Sequence, residues 1–77
     1  MKRVVLYGSP GCHLCAVAQH KLERVRRFVS FHLDVVDVRA DAALEVRYGA
    51  VIPVVNVDGR DELVSKVTEF RLLRALL

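Results

Sequence analysis

Two cysteines separated by two residues, Cys12 and Cys15, are the residues of this sequence best suited to chemistry. The thiolate, rather than the thiol, attacks a disulfide or binds a soft metal. A free cysteine has a pKa of about 8.5, so only a small fraction is ionised at neutral pH. The pair can therefore act as a redox dithiol or as two ligands for copper or zinc, if the protein stabilises the anion.

The neighbouring residues place this pair at the beginning of a helix. The run Arg3–Tyr7 is typical of a short buried strand, and Gly8-Ser9-Pro10-Gly11 ends it. A helical pattern then extends from Cys12 to about Phe28. Its apolar side contains Leu14, Ala18, Leu22, Val25 and Val29.

A helix N-terminus stabilises a thiolate because its first N–H groups are unpaired and carry a partial positive charge. We therefore predict that Cys12 is an exposed nucleophile with a lowered thiol pKa. Cys15 lies one turn further into the helix, so we predict a shielded, resolving thiol. His13, between the two, can support the thiolate when protonated, although a residue in this position is more often simply exposed.

Shorter elements follow. Phe31 to Val36 is predicted to be a strand, and Asp41 to cap a helix that runs through Tyr48 and ends at Gly49 as the C′ residue. Strands over 54–57 and 60–64 flank Asp58-Gly59, a pair typical of a two-residue hairpin turn. Thr68 is predicted to cap a last helix over 69–77. The residues predicted to face inward there are Phe70, Leu73, Leu76 and Leu77.

The resulting order, β-α-β-α-β-β-α, predicts an α/β fold in one domain over residues 1–77. The helix between the first two strands makes them parallel, whereas the hairpin strands are antiparallel. We expect a mixed four-stranded sheet with helices on both faces, a three-layer sandwich.

Composition and charge limit the classes of partner that the protein is expected to bind. The chain is 53% hydrophobic with a net charge of +3, and its one basic cluster is typical of a solvated helix face rather than a nucleic-acid site. No signal peptide and no run of ~20 apolar residues is present, so we expect a cytoplasmic monomer with neither membrane nor nucleic-acid partners. In that compartment a closely spaced cysteine pair is more often redox-active or metal-binding than structural.

Several segments, in order, resemble the compact bacterial glutaredoxin-like proteins of the thioredoxin superfamily. These segments are Tyr7–Cys15, Val36–Val38, Arg47–Val54 and Val57–Gly59. The resemblance implies a thioredoxin-like fold and reduction of disulfides in proteins or small molecules, including glutathione mixed disulfides. It also implies a cis Pro53 facing the cysteines, with the Ile52 backbone pairing with the substrate. Pro10 and His13 complete the predicted substrate-binding residues.

Two departures from the usual glutaredoxin sequence leave the electron donor open between glutathione and a flavin-dependent reductase. No bound cofactor or metal is expected. Ser9 replaces the usual lysine, and Val64–Thr68 lacks the Gly pair and Asp that hold glutathione in glutaredoxins. A soft-metal module and a non-catalytic interaction domain remain the alternatives. The element order does not match that of small copper carriers, and a structural zinc site needs four ligands, of which only His13 adds to the pair in sequence.

Overall fold

The computed structural model describes residues 1–77, and its helices and strands follow one another in the predicted order. The strands are β1 (Lys2–Gly8), β2 (Phe31–Asp37), β3 (Val54–Val57) and β4 (Arg60–Val64). The helices are α1 (His13–Val25), α2 (Ala42–Tyr48) and α3 (Glu69–Leu76). A short 3₁₀ turn, Val38–Ala40, joins β2 to α2 and was not predicted.

The four strands form one sheet in the order β2-β1-β3-β4. Strand β1 is parallel to β2 and antiparallel to β3, as predicted for the α1 crossover and the hairpin. Gly8 at the end of β1 pairs with Asp37, and its neighbour Tyr7 pairs with Val54 at the start of β3. Three chain segments therefore meet at one end of the sheet.

The hairpin between β3 and β4 turns at the two predicted residues. Asp58 and Gly59 both have positive φ, 50° and 89°, as a two-residue turn of this kind requires. The Asn56 side-chain oxygen accepts a hydrogen bond from the Gly59 amide at 3.0 Å. Local turn chemistry therefore fixes this part of the register.

Apolar side chains cover both faces of the sheet, which confirms the three layers. On one face, α1 and α3 pack against the strands in a cluster of twelve buried residues that includes Leu6, Leu22, Val55 and Leu72. On the other face, Tyr48 at the end of α2 packs with Val38 and Val54. No helix is long and apolar enough to cross a membrane.

Helix α1 is shorter than predicted, and its buried stripe is shifted. The helix ends at Val25, and Phe28 lies beyond it on the surface. Its buried residues, Cys15, Ala18, Leu22 and Val25, follow a stripe that begins at the second cysteine. Leu14 is off that stripe and 60% exposed, so its predicted place in the core was wrong.

Helix α3 faces the sheet through a stripe that includes the predicted Leu73 and Leu76 but not Phe70 or Leu77. Leu72 and Leu76, four residues apart, are buried, and Leu73 packs beside them. Phe70 and Leu77 are 72% and 86% exposed, because a period of 3.6 residues turns them away from that stripe. Their predicted inward orientation was wrong.

Gly49 does not use the conformational freedom for which it was predicted at the end of α2. Its φ is −55° and its ψ is −31°, so it stays in the right-handed region that any residue adopts. The chain instead leaves the helix through a turn in which the Val51 amide donates to the Tyr48 carbonyl at 2.9 Å. This turn leads directly to Ile52 and Pro53.

Candidate active site

Cys12 is the N-cap of α1 rather than its first helical residue. Its φ and ψ of −83° and 109° are extended, and its sulfur accepts a hydrogen bond from the Cys15 amide at 3.2 Å. The first helical turn contains no acidic residue. The sulfur therefore occupies the place of the usual N-cap oxygen, where unpaired N–H groups and the helix dipole favour an anion.

The extended conformation of Cys12 also allows the two cysteines to bond to each other. They form a disulfide, with their Cα atoms 5.2 Å apart. Cys15 is only 6% exposed, as expected one turn further into the helix. Cys12 is half-buried rather than exposed, which corrects the prediction, because its sulfur is bonded to Cys15 and accepts the Cys15 amide hydrogen.

Gly8 leaves room for the second cysteine. A Cβ atom added to it would lie 3.0 Å from the Cys15 Cβ and 3.1 Å from its Sγ. Both distances are tighter than ordinary van der Waals contact, so a side chain at this position would push Cys15 away. From the sequence, Gly8 was predicted only to help end the strand. Its place as the last strand residue before the cysteine loop is the signal that could have indicated this close approach.

Pro53 is buried directly before β3, so it lies beside the strand end that carries the cysteine loop. The Ile52–Pro53 peptide bond is cis. Neither the amide nor the carbonyl of Ile52 has a hydrogen-bond partner within the chain. Proline has no N–H, so Ile52 provides the free backbone donor and acceptor directly before β3.

One cavity contains the cysteine pair, and a second lies along α1. The first, of about 330 Å³, lies against both cysteines, Pro10 and the ends of β1 and β2. The second, of about 280 Å³, lies between α1 and the start of α3 and is lined by Leu14 and Pro53. Leu14 thus belongs to the site surface rather than to the core.

His13 is exposed, makes no hydrogen bond and lines neither cavity. The structure therefore places Pro10 in the cavity of the cysteine pair and Pro53 in the second cavity, whereas His13 lies in neither. No group of three or more histidine, cysteine or carboxylate side chains is arranged to hold a metal ion. The pair alone could provide at most two ligands.

The comparisons with known proteins decide the family. The family described as glutaredoxin-like domain (DUF836) matches residues 3–77, nearly the whole chain. The chain belongs to this family. The resemblance seen in the sequence is thereby confirmed, and the cysteine loop, α1 and the Pro53 strand are parts of a glutaredoxin-like domain.

Solved structures show the same fold. Protein Ne2328 from Nitrosomonas europaea aligns with a TM-score of 0.85 at 22% identity, over 99% of this chain and 92% of that one. A mutant thioredoxin from Halobacterium salinarum aligns with a TM-score of 0.72 at 18% identity, over 97% and 71%. No curated protein matches the sequence significantly. These structures confirm a thioredoxin-like fold for the glutaredoxin-like domain.

A part-buried polar network joins the end of α2 to β3 and β4 in this glutaredoxin-like domain. The Tyr48 hydroxyl donates to the Asp61 carboxylate at 3.1 Å, and the Asn56 side-chain amide donates to the same group at 2.9 Å. The Tyr7 ring stacks on Tyr48 with centroids 4.3 Å apart. Burial, with the hydrogen bond to Asp61 and its negative charge, raises the pKa of Tyr48. This network was not predicted from the sequence, because it joins residues far apart in the chain.

Proposed function

We propose that this glutaredoxin-like domain is a thiol–disulfide oxidoreductase in which Cys12 is the nucleophile and Cys15 the resolving thiol. The observation that carries the proposal is the position of the Cys12 sulfur at the N-cap of α1, where it accepts the Cys15 amide hydrogen. A sulfur in this position is favoured as an anion. The same sulfur is close enough to Cys15 to form a disulfide with it.

The reaction needs two exchange steps. The Cys12 thiolate attacks one sulfur of a substrate disulfide, forms a mixed disulfide and releases the other half as a thiolate, which takes a proton from solvent. Cys15 then loses its proton and attacks the Cys12 sulfur, which releases the second substrate thiol and forms the Cys12–Cys15 disulfide. Two electrons pass from the protein to the substrate.

The difference in burial supports the proposed roles of the two cysteines. A nucleophile must meet an external disulfide, whereas a resolving thiol needs to meet only the mixed disulfide on its neighbour. Cys15 is buried and Cys12 is more accessible, so an incoming disulfide reaches Cys12 first. The order of attack follows from this difference.

The substrate proposed is a protein disulfide or a glutathione mixed disulfide. The free amide and carbonyl of Ile52 can pair with an extended peptide on either side of its cysteine, as one strand pairs with another. Glutathione or a flavin-dependent reductase would return the two electrons. We propose that the protein acts in the cytoplasm as a monomer, without a resident cofactor.

A trapping experiment tests the assignment of roles. Reduced Cys15→Ser protein is mixed with a glutathionylated peptide, and intact-mass measurement should show a mixed disulfide accumulating on Cys12. Cys12→Ser protein is the control, and it should form no adduct and lose at least about a hundredfold in turnover, since it lacks the nucleophile. Wild-type turnover by Cys12→Ser protein would contradict the proposal. A protein that binds Cu(I) or Zn(II) tightly and reduces no disulfide would instead be a metal module.

A further inference from the structure

Ser65, directly after β4, holds the loop that carries Ile52 and Pro53. Its hydroxyl donates a hydrogen bond to the Val51 carbonyl at 2.9 Å. Its amide donates to the Pro53 carbonyl at 2.8 Å. The two acceptors stand on either side of Ile52, so a single residue fixes both flanks of the backbone proposed to meet the substrate.

The hydroxyl bond sets the direction of the Ile52 amide. The Val51 carbonyl and the Ile52 N–H belong to one peptide unit, which is planar and trans, so the two groups point in opposite directions. A hydroxyl that holds the carbonyl oxygen on one side therefore aims the N–H away on the other side. The Ile52 N–H and carbonyl remain without partners in the chain.

The backbone conformation of Ser65 favours glycine, so the turn alone does not explain a serine at this position. Its φ is +65°, in the left-handed region where glycine is favoured and other residues are strained. Glycine would make the turn without strain and would keep the bond from the amide to Pro53. Only a side chain with a hydroxyl makes the bond to Val51, and non-glycine residues in this region cluster at functional sites.

We propose that Ser65 is a positioning residue that aims the Ile52 amide at the backbone of a peptide substrate, and so favours peptide disulfides over small disulfides without a peptide bond. The inference rests on the proposed function and adds the substrate class and the residue that selects it. A disulfide without a peptide backbone cannot pair with the Ile52 N–H and carbonyl as a strand does, so it gains less from the Ser65 hydroxyl.

The test compares Ser65→Ala and Ser65→Gly with the wild-type protein on two substrates. One is a disulfide between two short cysteine peptides with blocked termini, and the other is bis(2-hydroxyethyl) disulfide. We expect both variants to raise KM for the peptide disulfide about fivefold, the effect of one modest hydrogen bond. The rise in KM for the small disulfide should be clearly less, and the pH profile of kcat should not move.

Ser65→Gly separates positioning from folding, because it removes the hydroxyl and the backbone strain together. A wild-type KM for the peptide disulfide in this variant would overturn the inference, as would equal losses on both substrates. Ser30→Ala is the matched control, since Ser30 is exposed and precedes Phe31, at the end of the sheet away from the cysteines. It should leave both KM values unchanged.

The same experiment keeps the two proposals apart. If the wild-type protein turns over neither disulfide, the proposed function fails and the inference falls with it. If it turns over both and the Ser65 variants retain the wild-type preference for the peptide, only the inference fails.

Discussion

The Cys12 sulfur both caps a helix and is the proposed nucleophile. It caps the first turn of α1 by accepting the Cys15 amide, in the place where serine or aspartate oxygens usually stand. The cap that begins the helix is therefore also the group proposed to attack a disulfide. The type, spacing and position of the two cysteines could be predicted from the sequence because all three depend on neighbouring residues.

The residues around the pair could not be predicted in the same way. Gly8 approaches Cys15 across a loop, and Ser65 reaches Val51 from the segment after β4, so neither contact has a local signature. Leu14 was misplaced for the opposite reason. It has helical spacing with Ala18, but the buried stripe passes through Cys15 instead.

Gly8→Ala should destabilise the reduced protein by about 1–3 kcal/mol, because the added methyl group would crowd Cys15 in a packed region. Denaturant unfolding of the two proteins under reducing conditions measures the difference in free energy of unfolding. In a Cys15→Ala background one of the two crowded atoms, Sγ, is absent, so the penalty should be smaller. A Gly8→Ala protein as stable as the wild type would show that Cys15 moves without cost.

Among the features of helices and strands, the N-caps and the hairpin turn were predicted correctly from the sequence. Asp41 and Thr68 cap α2 and α3 through their side-chain oxygens, and the Asp58-Gly59 turn lies where predicted. These features depend on a few adjacent residues. The network that fixes the end of α2 joins Tyr48 to β4 through Asp61, and no adjacent pattern indicates it.

Tyr48→Phe should reduce the free energy of unfolding at neutral pH by about 1–3 kcal/mol, through loss of the hydrogen bond to a carboxylate. The substitution should also change how the free energy of unfolding depends on pH above neutrality. Burial raises the pKa of Tyr48 in the folded protein, so the folded state holds the phenol proton more tightly than the unfolded chain does. The stabilisation is complete below pH ~10 and is lost as pH rises through the folded-state pKa.

Denaturant unfolding at a series of pH values measures this effect. The wild-type protein should lose stability above pH ~10 more steeply than the Tyr48→Phe variant. Tyr7→Phe is the comparison variant, because it keeps the stacked ring and the Tyr48–Asp61 hydrogen bond. It removes only the smaller contribution of the Tyr7 charge to the raised pKa of Tyr48, so its alkaline slope should stay closer to that of the wild type than that of Tyr48→Phe. Identical alkaline slopes for Tyr48→Phe and wild type would contradict a raised pKa.

At the scale of the whole molecule, the sheet order determines what the site contains. Because β1 lies between β2 and β3, the cysteine loop after β1 meets the Pro53 strand on one side and the end of β2 on the other. The element order and the two pairing directions could be predicted from the sequence. The neighbours of each strand depend on contacts between distant residues, so they required the structure.

The proposed function depends on the N-terminus of α1 holding the Cys12 sulfur as an anion in the reduced protein. Its most direct test is the rate of Cys12 alkylation by iodoacetamide as a function of pH, measured on reduced Cys15→Ser protein so that a single thiol reacts. We predict a midpoint well below the value of ~8.5 for a free cysteine. A midpoint at or above that value would show that the N-terminus of α1 does not stabilise the Cys12 thiolate.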